Sequence, residues 1–273
     1  MKRVYYLLFL CIVFATYSCQ NAKLATTATG EKQSLDIYLL IGQSNMAGRA
    51  EITTEYRDTL NNVYLLNENN RFEKAANPLN KYSTIRKELN MQKLGPGYSF
   101  SKKIAAVTKR RIGLVVNARG GSSIKSWEKG NADGYYEAAL IRAKEAMKYG
   151  KIKAILWHQG EANVSTPANY KVQITNLVNN LRQDLNNPKL FFIAGEISQW
   201  NWTKSPEGTK PFNDMIKSID TFIPYSACIS SDSLTPFVKD GSDPHFDTDS
   251  QIKLGERYAD AVLRHVYRIS TTK

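Results

Sequence analysis

Short apolar runs rich in β-branched and aromatic residues alternate with longer amphipathic stretches along most of this chain, and that alternation restricts the folds open to it. Residues 36–41 (DIYLLI), 112–118 (IGLVVNA), 152–158 (IKAILWH), 189–197 (KLFFIAGEI) and 225–231 (YSACISS) read as strands. Their near-continuous hydrophobicity is that of strands covered on both faces. Between them, residues 98–109, 135–150, 167–185 and 249–266 carry helical spacing. Phe100, Ile104 and Val107 share one side of the first, and Ile252, Tyr258 and Val262 lie near one face of the last. Pro167 suits a first helical turn, and Gly150 suits a helix end. Repeated strand–helix units with short links predict an α/β protein, a three-layer α/β/α sandwich around a mostly parallel five-stranded sheet. A chain of 273 residues can bury one sizeable core without a second domain, and the expected folded unit is 35–273.

The first residues read as a leader. MKR supplies a basic start, residues 4–17 are apolar and too short a run for an easy membrane span, and Ser18-Cys19-Gln20 resembles the processing site of a bacterial lipoprotein. Residues 1–18 are therefore expected to be a signal peptide. Cys19 is the expected lipid-bearing first residue, the protein's attachment to the membrane, and the small polar residues of 19–34 form a tether. The expected location is the bacterial cell envelope, as a periplasmic or outer-membrane lipoprotein. Of three cysteines, Cys11 and Cys19 belong to this leader, so the mature domain keeps Cys228 alone and forms no internal disulfide. The formal charge of +12 comes from scattered basic residues, TKRR at 108–111 being the densest group. Without an aromatic-interleaved basic stripe or zinc-finger spacing, no nucleic-acid partner is expected; the charge implies a mild attraction for anions.

In an open α/β sheet, sites gather at the carboxyl ends of strands. There this chain places GQSNMAG after the first predicted strand, RGGSS after the second, and Gln159-Gly160-Glu161-Ala162-Asn163 after the third. Ser44 follows a buried strand and a turn-forming Gly42. As the start of a short helix it is either a simple N-cap or a nucleophile beside unpaired N–H groups. A serine nucleophile needs a base, and of His158, His245 and His265 only His245 lies in a loop (DGSDPHFD) able to reach the sheet edge. Asp243 or Asp240 could orient its other ring nitrogen. His158 and Glu161 form an H-x-x-E pair, but no further histidine or cysteine accompanies it, so the set is too small for a metal. RGGSS lacks the phosphate-loop pattern, and its glycines suit a tight turn or close approach to a ligand. Trp157 lies within a predicted strand, whereas Trp200 and Trp202 lie in a polar loop where an indole could stack on a sugar ring. The long loops 49–97 and 198–212 could build pocket walls.

The ordered segments IGQSNMAGR, LGPGYSF, VVNARGGSSIKSW, WHQGEAN and DPHFDTDSQIKLGERYA, spread over residues 36–265, resemble the SGNH/GDSL hydrolase superfamily. The resemblance is to its sialate O-acetylesterase-like branch, which includes the family 6 carbohydrate esterases and acetylxylan esterases. It implies a flavodoxin-like SGNH hydrolase fold and a carbohydrate O-acetylesterase working through an acetyl-enzyme, with no metal or organic cofactor. The implied roles are Ser44 as nucleophile, His245 as base, and Gly97 and Gln159 as oxyanion donors beside the Ser44 amide. Arg119, Gly121 and Trp127 would shape the pocket, with Gln43, Glu161 and Trp200 as further substrate-binding residues. The family's acid stands three residues before the histidine, where this chain has Ser242. Asp243 is the first choice for the role and Glu161 the substitute, the remaining alternative being a dyad in which a backbone carbonyl holds the histidine. The substrate implied is an acetylated oligo- or polysaccharide, either a hemicellulose such as xylan or a 9-O-acetylated sialic acid. The alternative is a non-catalytic glycan-binding protein that keeps the pocket.

Overall fold

The computed structural model describes residues 34–200, 202, 203 and 207–270. The expected signal peptide, Cys19 and all of the tether but its last residue lie outside the described residues. The elements are β1 (Leu35–Gly42), α1 (Ser44–Ala47), β2 (Val63–Leu66), β3 (Phe72–Lys74), α2 (Gly97–Thr108), β4 (Ile112–Val116), α3 (Tyr135–Ala146), β5 (Gly150–His158), α4 (Pro167–Asp184), β6 (Phe191–Gly195), α5 (Lys210–Lys217), β7 (Ser226–Ile229) and α6 (Thr248–His265), with short 3-10 turns between.

Among the described residues, seven strands rather than five form one sheet, in the order β3-β2-β4-β1-β5-β6-β7. All neighbours run parallel except β2 and β3. The two additional strands lie inside the 49–97 stretch read as irregular. Their signal is weak because β2 is four residues long and β3 is the tripeptide FEK, whose single apolar side chain, Phe72, packs on the core beside two charged residues. The asparagines there close the hairpin: Asn67 Oδ1 accepts from the N–H groups of Asn69 and Arg71, both at 3.0 Å.

β1 explains the layering. Ile37, Leu39 and Ile41 face one apolar layer with residues of α3, α4 and α5, including Ala139, Val178 and Ile216. Tyr38 and Leu40 face the other layer with residues of α2 and α6, including Phe100, Ile104, Tyr258 and Val262. Side chains that alternate in direction while every residue is buried produce the unbroken apolar run seen in the sequence. Val107, placed on the apolar side of α2 from its spacing, is instead 44% exposed in the last turn of that helix. α2 and α6 cross closely at Gly255, where a Cβ would overlap the Pro96 carbonyl and the Ser99 hydroxyl. The Ser99 hydroxyl instead donates to Ile252 O at 2.8 Å.

Candidate active site

β1 is flanked by β4 and β5, so its carboxyl end opens where the chain crosses from one half of the sheet to the other. Gly42 ends the strand at φ +132°, and a Cβ there would overlap the His158 carbonyl, so a glycine is required. The Gln43 N–H donates to that same carbonyl at 2.8 Å, and Ser44 begins α1. The first N–H groups of a helix have no partner within it, so α1 presents donors at Ser44.

His245 comes from the loop before α6. Asp247 caps that helix by accepting from Ser250 N–H at 2.8 Å. The loop also pairs with residues 235–237, Phe237 N–H donating to His245 O at 2.8 Å and Asp247 N–H to Thr235 O at 3.1 Å. Held in this way, His245 Nε2 lies 2.8 Å from Ser44 Oγ. Its Nδ1 lies 2.8 Å from the Asp243 carboxylate. Asp243 also accepts the His245 backbone N–H at 2.7 Å, so one carboxylate closes the turn and faces the ring. That double contact is how an acid two residues before the histidine reaches it despite the intervening Pro244. Burial lowers the His245 pKa below its ordinary value, Asp243 raises it in part, and Arg49 lowers it further. Asp240, the other carboxylate considered, is exposed and bonds to Ser242 N–H at 2.9 Å.

The remaining residues singled out from the sequence divide sharply. Gly97 opens α2, and a Cβ there would meet the Leu40 and Leu79 side chains. Gly120 stands near Ser44, and a Cβ on it would overlap the Arg49 guanidinium and lie 3.6 Å from Ser44 Cβ. Gln159 is fully buried, and the two hydrogens of its Nε2 are shared among three acceptors, Gln43 Oε1 at 3.2 Å, Ser122 O at 3.0 Å and Asn163 Oδ1 at 2.9 Å. With its donors engaged inside the protein, it braces Gln43, itself buried, instead of facing a ligand. Trp127 is also fully buried, packed edge-on against Trp157 and donating to Ser122 Oγ at 3.0 Å, so it forms core and no pocket wall. Arg119 spans to the Ile85 and Arg86 carbonyls, both at 3.1 Å, and anchors that loop. Gly121 has φ +74° and a Cβ there would approach Lys87 Nζ to 3.5 Å. Trp200 is half-buried and donates to Asp243 O at 2.8 Å, supporting the acid from behind while packing on Phe246.

Two residues not singled out from the sequence also belong here. Asn45 is fully buried beside Ser44, and Arg49 lies against Gly120. Arg49 donates to the Gly48 and Met91 carbonyls at 2.7 and 2.9 Å, forms no ion pair among the described residues, and has its pKa lowered by burial. Both stand within GQSNMAGR, so their segment was legible though their positions were not. Glu161 is buried, with a pKa pushed up to about 7 by desolvation. Its Oε1 accepts from Asn45 at 2.8 Å. His158 is wholly buried, its pKa pushed down to about 3, with Nδ1 3.2 Å from the Tyr258 hydroxyl. Among the described residues no group of three or more His, Cys, Asp or Glu is gathered for a metal.

A family model described as carbohydrate esterase, sialic acid-specific acetylesterase matches residues 34–264. A probable carbohydrate esterase of Arabidopsis thaliana is 30% identical over 250 residues, covering 83% of this chain and 90% of its own length. A solved structure of an Arabidopsis thaliana protein superposes with a TM-score of 0.72 at 29% identity, covering 85% of this chain and 99% of that one. A carbohydrate acetylesterase of Xanthomonas citri shares the fold, with a TM-score of 0.63 at 18% identity over 85% of this chain and 57% of its own. The chain belongs to the family of carbohydrate esterases described as sialic acid-specific acetylesterases.

Proposed function

We propose that the protein is a carbohydrate O-acetylesterase in which Ser44 attacks the acetyl carbonyl of an acetylated sugar. The observation that carries the reading is the unbroken chain from Ser44 Oγ to His245 Nε2 and from His245 Nδ1 to Asp243, each link 2.8 Å. His245 takes the Ser44 proton as the Oγ–carbon bond forms, then gives it to the departing sugar oxygen as the carbon–oxygen ester bond breaks. Water repeats the sequence against the acetyl-enzyme and releases acetate. Asp243 holds the ring with Nε2 facing the serine and stabilises the imidazolium. The developing oxyanion is received by the N–H of Ser44 at the start of α1, and Gly120, where a Cβ would lie 3.6 Å from Ser44 Cβ, is a further backbone donor in reach beside the Gly97 that the resemblance implies. The glycan-binding alternative drew on the unusual position of the acid and has less support now that Asp243 lies against the ring.

A charged sugar ester such as an O-acetylated sialic acid is the preferred substrate class over a neutral hemicellulose. Arg49 favours it: a guanidinium beside Gly120 that forms no ion pair among the described residues, and feels the Asp243 carboxylate only at a distance, is suited to an anionic group on the substrate. Export and tethering through lipid on Cys19 remain part of this proposal, resting on the apolar run 4–17 and Ser18-Cys19. Mass spectrometry of the membrane fraction should find an acylated Cys19 as the first residue; an intact leader or an unmodified cysteine would refute the tether.

Acetate release from p-nitrophenyl acetate, acetylxylan and 9-O-acetyl sialic acid tests the function. Ser44→Ala and His245→Ala should each lower kcat by roughly 10³-fold or more while the fold persists. A folded wild-type protein inactive on every ester would refute the reading.

A further inference from the structure

Asn45 carries four hydrogen bonds drawn from three parts of the chain. Its Nδ2 donates to Glu161 Oε1 at 2.8 Å and to the Pro244 carbonyl at 3.1 Å. Its Oδ1 accepts from Phe246 N–H at 3.3 Å and Gln251 Nε2 at 3.2 Å. Two donated and two accepted bonds use the amide in full. Its orientation is dictated by the backbone, because the Pro244 carbonyl can only accept and the Phe246 N–H can only donate. Pro244 and Phe246 flank His245. A side chain one peptide bond from Ser44 thus grips the chain on both sides of the base.

Glu161 supplies the remaining restraint on that amide. Its carboxylate is buried in the turn after β5, and Oε2 has no well-aligned donor among the described residues, although the backbone N–H groups of Glu161 and Gly160 stand near enough to favour its charged form in part. A buried carboxylate with a poorly paired oxygen is costly, so packing alone does not explain why a carboxylate stands here. The sequence offered it as a reserve acid or a hydroxyl ligand, but its side-chain bond goes to Asn45.

We propose that Glu161 is a positioning residue for the base, acting through Asn45 to hold residues 244–246 where His245 Nε2 meets Ser44 Oγ. The inference rests on Ser44 and His245 being nucleophile and base. It requires only an acceptor at Glu161 Oε1, which the carbonyl of a glutamine also provides.

The test is a double-mutant cycle of Asn45→Ala and Glu161→Ala, read as kcat and KM on p-nitrophenyl acetate and as hydrogen exchange at the Phe246 amide. Each single variant is expected to lower kcat by roughly 10- to 100-fold with KM little changed. The double variant should be no slower than Asn45→Ala, Glu161→Gln should recover most of the loss, and Phe246 exchange should quicken in both single variants. Independent losses that multiply in the double variant, or a Glu161→Gln as slow as Glu161→Ala, would overturn the inference. Should Asn45→Ala fail to fold, Glu161→Ala against Glu161→Gln decides it by the same readouts. An inactive wild type would defeat the esterase reading alone, because the Phe246 exchange still reports the clamp. Unchanged exchange in Glu161→Ala overturns it.

Discussion

At the residue scale, titration separates two buried ionisable groups of the site, His245 and Glu161. The working form of His245 is neutral, and burial lowers its pKa below the ordinary 6.5. The acid limb of kcat/KM should therefore have its midpoint below 6.5, with a plateau by neutral pH; a pH–rate profile checks it. Asp243→Asn should move little in the fold but lower kcat on the order of 10²- to 10⁴-fold, through loss of the imidazolium's partner and of the correct tautomer. Glu161 behaves oppositely. Its folded pKa of about 7 lies above the ordinary 4.5, so its contribution to stability is complete below 4.5 and is lost as pH rises through 7. Glu161→Gln should thus gain on the wild type across that window, by up to about 3 kcal/mol, measured as the pH dependence of the unfolding midpoint.

At the element scale, the strands and long helices were legible because each carries its period over many residues. The five expected strands and four expected helices correspond to β1, β4, β5, β6, β7, α2, α3, α4 and α6. β2 and β3 were not, since four and three residues carry no clear period, and α5 was hidden because it starts inside the polar stretch 198–212. The close crossing of α2 and α6 is likewise invisible from either helix alone. Gly255→Leu should force these helices apart and cost about 1–3 kcal/mol, seen as a lower denaturation midpoint at unchanged slope. Gly120→Ala places a methyl between Arg49 and Ser44, so it should lower kcat while leaving the denaturation midpoint little altered.

At the scale of the whole molecule, charge should act on the encounter with substrate. A formal charge of +12, with Arg49 in no ion pair among the described residues, favours an anionic ester over a neutral one, and salt screens that preference. The KM for an acetylated acidic sugar should rise with ionic strength while that for p-nitrophenyl acetate stays nearly constant. Arg49→Ala should abolish the difference, and kinetics at two salt concentrations on both esters would reveal it.

The amino-acid order carried the parallel α/β architecture and named Ser44, His245 and Asp243, because buried strands and isolated reactive side chains leave marks in one dimension. It could not say which glycine lies beside the serine, whether an acid two positions before the histidine reaches the ring, or which way a tryptophan faces. Gly97 and Gly120, like Trp127 and Trp200, are alike as letters. They differ in what the folded backbone brings against them: Leu40 and Leu79 at one glycine and Ser44 at the other, the core at one indole and Asp243 at the other. Such contacts join residues distant in sequence, as Ser44 and His245 are at 201 positions, where local pattern carries no information and only the packing of the sheet with its covering helices sets distance.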